Sequence, residues 1–237
     1  MTSGFSHERE RTILTLWEHG AGLDRFARED ALLAAGGLKC DGLGARNAAL
    51  VAMRAALFDR IWPLRSRCPM CATECSFDAD SQELAQSLEA YRSAPAAATM
   101  ELGGRQVRLR APTVDDLRAA ASASDTGMAA RVLLDRCADP IEARTIDDET
   151  IATLARRLEQ LDPGAIVSFD LQCPECAHAW SAPIDIGAAV WAEVRRSAEM
   201  LLLDIDLLAR TYGWAEDDIL HLSAIRRAAY VQLAGAS

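Results

Sequence analysis

The chain has 237 residues, half of them hydrophobic, and is therefore long enough to bury a substantial core. Its formal net charge of -10 disfavours nucleic acid and anionic membranes as partners, because both require a basic surface. We therefore expect a protein partner, with no nucleic acid, no membrane and no small-molecule substrate.

The residues up to Glu18 mix charged and apolar side chains and lack the continuous apolar core of a signal peptide. The most hydrophobic stretch, residues 200–208, is interrupted by Asp204 and Asp206 and is much shorter than the roughly 20 residues of a membrane-spanning helix. These features predict a cytoplasmic protein.

The N-terminal region, residues 1–63, is predicted to be helical. Apolar residues recur there at three- and four-residue spacing, which is typical of amphipathic helices. The predicted helices cover residues 8–17, 23–33 and 45–61, and Pro63 is expected to end the third.

The second region, residues 64–111, is predicted to contain two hairpins. Short extended segments flank the tight sequence Cys68-Pro-Met-Cys71, as expected for a cysteine knuckle at the tip of a hairpin. After a Pro/Ala-rich connection at residues 94–98, alternation around Gly103-Gly104 predicts the other hairpin.

A helical insertion is predicted for residues 112–163. Thr113 and Asp116 have the spacing of a capping box, and helical patterns cover residues 127–137 and 148–161. Region 164–186 then returns to extended structure, because a β-favouring stretch leads into Cys173 and a second one leaves Cys176. This is the second predicted knuckle.

The two knuckle segments align without a gap when Cys68 is placed on Cys173, which also places Asp80 on Asp185. The chain is therefore expected to contain an internal repeat.

The C-terminal region, residues 187–237, is predicted to be helical. A long helix with one apolar stripe should end at Gly213, and two short helices should follow, the first with acidic residues in its first turn and the second capped by Ser223. The stripe consists of Val190, Val194, Leu201, Ile205, Leu208 and Tyr212. The five regions together predict an α+β fold, mostly helical, with a small split zinc-ribbon-like β region in one compact domain.

Two Cys-Pro-x-Cys knuckles are the strongest chemical signal in the sequence. Cysteines three residues apart in a tight turn place both sulfurs on one side, and two such turns complete a tetrahedral Zn²⁺ site. We therefore expect one structural Zn²⁺, bound by Cys68, Cys71, Cys173 and Cys176. Ala72 and Ala177 depart from the usual knuckle, which often has glycine there to allow a positive φ.

Other residues near the knuckles are expected to have secondary roles. Cys75 and His178 are close enough in sequence to replace a ligand, but a lone thiol or imidazole is more often simply packed or exposed. Cys137 is predicted to lie in the core, and no role is assigned to Cys40. The sequence has no glycine-rich phosphate loop, serine elbow or HExxH motif, so we expect no enzymatic activity.

Two alternative functions remain open at this point. A zinc-ribbon nucleic-acid-binding protein would require a basic face formed by arginines such as Arg65, Arg67, Arg105, Arg108 and Arg110. A thiol-disulfide redox protein would use the same Cys-x-x-Cys pairs, although such pairs usually lie between a strand and a helix rather than between short strands.

The order of these parts resembles the baseplate-hub assembly proteins of contractile-tailed phages and related contractile injection systems. The resemblance rests on residues 14–18, on residues 46–58, on both knuckles, and on residues 212–220 with Arg226, Arg227 and Tyr230. It implies a non-enzymatic assembly factor, or chaperone, whose partner is a hub or spike subunit of the baseplate.

Overall fold

Helices make up most of the described chain, and short antiparallel sheets make up the rest. The computed structural model describes residues 3–92, 97–142 and 145–235. Its helices are α1 Ser3–Gly20, α2 Arg25–Ala35, α3 Leu43–Leu57, α4 Ser81–Leu88, α5 Val114–Ala121, α6 Thr126–Cys137, α7 Asp148–Leu161, α8 Ile186–Tyr212, α9 Glu216–Leu220 and α10 Ala224–Gly235. Its strands are β1 Ile61–Arg67, β2 Glu74–Asp80, β3 Ala97–Leu102, β4 Arg105–Arg110, β5 Ala138–Asp139, β6 Val167–Gln172 and β7 Ala179–Ile184. The predicted α+β, mostly helical class is confirmed.

The chain divides into two compact units. Unit 1 combines Met1–Ala35 with Ala188–Ser237, and unit 2 is the continuous segment Gly36–Gly187. The five regions predicted from the sequence do not coincide with these units, since the two chain ends contribute to the same one. The expectation of a single compact domain stays a prediction.

Unit 1 is built from helices at the two ends of the chain. The predicted stripe of α8 is buried from Val190 to Leu208, whereas Tyr212 is 37% exposed. Tyr212 instead stacks on Trp214, with ring centroids 4.7 Å apart, because α8 ends there and Gly213 turns the chain with a φ of 70°. The prediction for Tyr212 as a core residue was therefore wrong.

A buried ion pair links α1 and α10 within unit 1. The guanidinium of Arg227 donates hydrogen bonds to both carboxylate oxygens of Glu10, at 2.7 and 2.5 Å. Its Nε also lies 3.5 Å from a carboxylate oxygen of Asp204 on α8. Glu10 and Arg227 are both buried, and the hydrogen bonds to the carboxylates compensate the guanidinium charge inside the protein.

Unit 2 has its main apolar core between the β3-β4-β5 sheet and helices α6 and α7. The core consists of Val107, Leu109, Ala111, Leu134, Cys137, Ala138, Leu154, Leu158 and Leu161. The predicted core position of Cys137 is confirmed, since only 2% of this residue is exposed. Gly103 and Gly104 both adopt positive φ in the predicted two-residue turn of the β3-β4 hairpin.

Two further two-stranded sheets carry the knuckles. Strand β1 pairs antiparallel with β2, and β6 pairs antiparallel with β7. The two hairpins have the same register: the pair Leu64 and Phe77 in the first corresponds to Phe169 and Ala182 in the second when Cys68 is aligned with Cys173.

The structure corrects the prediction around Pro63. Helix α3 ends at Leu57, not at residue 61, because the buried Arg54 donates hydrogen bonds to the carbonyls of Asp59 and Ile61 and turns the chain into β1. Pro63 then lies inside β1, opposite Asp78. A two-stranded hairpin tolerates proline because both of its strands are edges.

Helix α4 was missed by the sequence analysis. Asp80 caps it by accepting hydrogen bonds from the backbone N–H groups of Gln82 and Glu83, at 3.0 and 3.1 Å. The signal was present in the sequence, since Asp80 followed by Glu83 has the spacing of a helix start. The predicted Pro/Ala-rich connection at residues 94–98 lies partly outside the described residues, and its last two residues begin β3.

Candidate metal centre

The knuckles at the tips of the two hairpins have the same backbone conformation. In the first knuckle the carbonyl of Cys68 accepts a hydrogen bond from the N–H of Ala72, and the N–H of Cys68 donates to the carbonyl of Thr73, both at 2.9 Å. In the second knuckle the same bonds join Cys173 to Ala177 at 3.0 Å and to His178 at 2.9 Å. Register and turn conformation therefore both support the internal repeat.

Ala72 and Ala177 occupy the position where glycine was expected. Their φ angles are 61° and 57°, and they are the two non-glycine residues with positive φ in the described chain. Each alanine adopts the left-handed conformation that the knuckle requires, at a cost of about 1 kcal/mol or more. The absence of glycine has therefore not changed the geometry of the knuckles.

The four predicted cysteines lie together although about a hundred residues separate the two pairs. The Sγ atoms of Cys68 and Cys176 are 3.7 Å apart, those of Cys71 and Cys173 are 3.5 Å apart, and all four lie within 4.8 Å of one another. With metal–sulfur bonds near 2.3 Å, a tetrahedral site places its sulfurs about 3.8 Å apart. The four thiols thus have a spacing that could hold one metal ion.

Packing of the hairpins holds the two cysteine pairs next to each other. The rings of Phe77 in β2 and Phe169 in β6 are in contact, with centroids 5.1 Å apart. Beneath the site, Cys68 and Cys173 are buried together with Cys75, and Trp180 packs against them. Cys71 and Cys176, in contrast, are exposed, so the site lies at the surface with one buried and one exposed sulfur from each knuckle.

Hydrogen bonds to sulfur shape the electrostatics of the thiols. Thr73 contacts the Sγ of Cys71 at 3.3 Å, and its hydroxyl and backbone N–H lower the pKa of Cys71 to about 6. The backbone N–H groups of Cys176 and Glu175 lower the pKa of Cys173. Backbone N–H groups directed at sulfur stabilise thiolates, the form that binds metal.

Cys176 differs from Cys71 and Cys173. The backbone N–H of His178 favours its thiolate, but partial desolvation and hydrogen bonding with the other three cysteines raise its pKa to about 12. Four thiolates cannot share this volume without a compensating positive charge. The donor set therefore fits a soft divalent cation, whose binding deprotonates its ligands.

Other residues near the site make contacts outside the group of four thiols. Cys75 and His178 do not belong to the group of four; Cys75 is buried beneath it, and His178 stacks on Trp180 with centroids 6.3 Å apart. Arg65 pairs with Glu74 across the first hairpin at 3.1 Å. Over residues 3–92, 97–142 and 145–235, the four cysteines are the single cluster of this kind.

The fold and the site define an α+β protein with a four-cysteine cluster that could hold a metal ion, and two repeated hairpins each supply two of the cysteines. In comparisons with known proteins, no family model, curated protein or solved structure matches this chain. Among the described helices, none combines the length and the apolar character needed to cross a membrane.

Proposed function

We propose that the four cysteines bind one structural Zn²⁺. The observation that carries this proposal is the convergence of four sulfurs, at tetrahedral spacing, from two hairpins distant in sequence. Four protein thiolates leave no open coordination position, which is typical of structural zinc and not of catalytic zinc. The bound ion would hold the β1-β2 and β6-β7 hairpins together.

Metal analysis of the purified protein tests this directly. We expect one zinc per chain, and we expect Cys173→Ser to lose the metal and to lower the free energy of unfolding by about 3 kcal/mol or more, because binding and folding are coupled. Cys40→Ser is the matched control, since Cys40 lies outside the cluster and should keep the zinc. Iron in place of zinc, or full native stability without metal, would contradict the proposal.

We further propose that the protein is a non-enzymatic, cytoplasmic assembly factor for the baseplate hub of a contractile phage tail or injection system. The support is the resemblance carried by the knuckles and by residues 212–220, together with the acidic charge, which favours a protein partner. A closed four-thiolate site is consistent with this role, because it stabilises a shape without supplying a reactive centre.

Co-expression with candidate hub and spike subunits of contractile tails tests the assembly role. The zinc-loaded protein should capture at least one of these subunits in a pull-down, and the complex should survive gel filtration. Capture of none of them by folded protein would reject the assembly proposal. Tight DNA or RNA binding with a steep salt dependence would instead favour the zinc-ribbon nucleic-acid alternative.

A further inference from the structure

Unit 2 contains an apolar groove whose lining includes none of the four clustered cysteines and that the proposed zinc site does not use. Its volume is about 480 Å³, within the roughly 300–1,000 Å³ that is typical of binding sites. We name it the α5–α7 groove; it is lined by Leu43, Pro112, Leu117, Ala130, Leu133, Leu134, Ala155, Leu158, Glu159, Asp162, Pro163, Ala165 and Ile166.

The walls of the α5–α7 groove are held in place by buried and partly buried hydrogen bonds. The carboxylate of Asp162 accepts a hydrogen bond from the N–H of Gly44 at 2.8 Å, which ties the end of α7 to the start of α3. The side-chain amide of Asn47 donates to the carbonyls of Gly164 and Ala165, at 2.8 and 3.1 Å. The groove is therefore preformed, which reduces the ordering cost of binding.

The lining of the groove identifies the kind of ligand that would fit it. Apart from Glu159 and Asp162, every lining residue is apolar, and Leu117 and Leu133 are only half-buried. Ile166 is 55% exposed at the end of the groove. The lining side chains of an open groove lack protein contacts on one side, so apolar side chains from another molecule would gain favourable contacts here.

The charge and the shape of the groove indicate which kind of partner segment would bind in it. Both charged residues that line the groove are acidic, and so is the chain as a whole. Helices α5, α6 and α7 form the sides, as in binding modes where an amphipathic helix lies in a groove between helices. A matching partner would present leucine-type side chains along one helical face with lysine or arginine beside them.

We propose that the α5–α7 groove binds an amphipathic, basic helix of a protein partner. This inference deepens the proposed assembly role, because it assigns a partner-binding surface to unit 2. It does not depend on the identity of the metal or on the identity of the hub subunit.

A defined peptide tests the groove without the natural partner. The probe is a fluorescein-labelled amphipathic peptide of about 15 residues, with leucine on one helical face and lysine elsewhere. Two comparison peptides replace leucine by serine and lysine by glutamate. We expect the leucine/lysine peptide to bind the zinc-loaded full-length protein most tightly in fluorescence anisotropy, and the serine/lysine peptide to bind at least about tenfold more weakly.

A matched pair of variants separates groove binding from general charge attraction. Ile166→Lys places a cation in the groove, whereas Leu203→Lys makes the same change at a residue of α8 that is 68% exposed and outside the groove. Both variants change the net charge equally. We expect Ile166→Lys to weaken peptide binding about tenfold and Leu203→Lys to change it less than about twofold.

A second variant tests the groove by adding bulk instead of a positive charge. Ala130→Phe should also weaken binding about tenfold, because the ring would occupy the space of the peptide side chains. Glu159→Gln should reduce the preference for lysine over glutamate, compared with Glu149→Gln on the exposed first turn of α7. Thermal unfolding of each variant verifies that it is folded before binding is measured.

Three results would overturn the inference. These are equal effects of Ile166→Lys and Leu203→Lys, binding of the uncharged dye Nile red without any peptide binding, and self-association of the protein that Ile166→Lys abolishes. They would indicate nonspecific attraction, a small apolar ligand and a second copy of this chain, respectively. If the peptide binds but no hub subunit is captured, the groove proposal is supported and the assembly proposal is rejected. If a hub subunit is captured but the peptide does not bind, only the groove proposal is rejected.

Discussion

At the scale of single residues, the knuckle alanines are the clearest sites of backbone strain. Ala72 and Ala177 have positive φ, a conformation in which the Cβ of an L-residue is crowded. Glycine at these positions removes the crowding, which stabilises the folded state. It also makes the unfolded chain more flexible, which lowers the free energy of unfolding by about 0.5–1 kcal/mol, so the two effects partly cancel.

We therefore expect Ala72→Gly and Ala177→Gly each to raise the free energy of unfolding by about 0.5–1 kcal/mol. Urea unfolding of the zinc-loaded protein measures this. Ala179→Gly, at the exposed start of β7 and without positive φ, is the control and should lower stability. A loss of stability in the two knuckle variants as large as in the control would show that the alanines are not strained.

Asp116 is a buried carboxylate of unit 2 that several hydrogen bonds stabilise. Only 1% of its side chain is exposed, and burial alone would raise its pKa. Hydrogen bonds from Arg110, from Arg136 and from the backbone N–H of Thr113, at 2.6–3.0 Å, outweigh burial and hold the pKa of Asp116 well below its usual range. The capping box predicted from Thr113 and Asp116 is confirmed, but its arginine partners were not predicted.

Because the folded-state pKa of Asp116 is lowered, its stabilising effect is present above the unfolded pKa of about 3.9 and is lost as the pH falls below that value. Asp116→Asn should lower the free energy of unfolding by about 2 kcal/mol at about pH 7, and the difference should shrink at about pH 3. Urea unfolding at both pH values measures it. Asp115→Asn, at an exposed position of the same helix, should show neither effect.

At the scale of elements, the Glu10–Arg227 pair connects helices from opposite ends of the chain. Removing one partner of a buried ion pair leaves the other uncompensated, whereas removing both leaves an apolar contact. Glu10→Gln should therefore lower the free energy of unfolding by about 3 kcal/mol, and Glu10→Met combined with Arg227→Met should cost less than either methionine change alone.

Arg11→Gln provides the control for this cycle. Arg11 pairs with Asp217 on the same unit, but both side chains are largely exposed. The loss should therefore be below about 1 kcal/mol. Equal losses for Glu10→Gln and Arg11→Gln would mean that burial does not strengthen the Arg227 contact.

Element boundaries were predictable where local chemistry decides them. Helix α7 begins and ends at the predicted residues because Asp147 caps it and Pro163 follows it. The end of α3 was not predictable, because the spacing of Leu57, Phe58 and Ile61 fits a helix equally well. What ends the helix is the buried guanidinium of Arg54, a tertiary contact that periodicity does not encode.

The candidate site was predictable in its residues but not in its surroundings. The repeat of two Cys-Pro-x-Cys segments indicated which four thiols should meet, and the structure brings them together. The burial of Cys75 beneath them and the contact of Phe77 with Phe169 depend on how two hairpins pack, which no local pattern specifies. The same reason explains why the α5–α7 groove was not anticipated, since its residues come from four separate segments.

At the scale of the whole molecule, metal removal should affect the two units unequally. All four cysteines of the cluster belong to unit 2, so the binding free energy of the proposed zinc ion would stabilise that unit first. After treatment with a chelator, amide hydrogen exchange in β1, β2, β6 and β7 should accelerate at least about tenfold, and exchange in α1 and α2 should change less. Equal acceleration in both units would contradict this, and unchanged exchange in the hairpins would remove the structural role of the metal.

The separation of the knuckles has a consequence for protein synthesis. Cys173 leaves the ribosome about 100 residues after Cys71, and chains grow during synthesis at about 5–20 residues per second. For about 5–20 seconds, the emerged chain therefore contains only two of the four thiols of the cluster, and an isolated hairpin is barely stable in water. During that interval Cys68 and Cys71 are open to oxidation or to a competing metal, so the proposed zinc site would make correct folding depend on the zinc and reductant available near the ribosome.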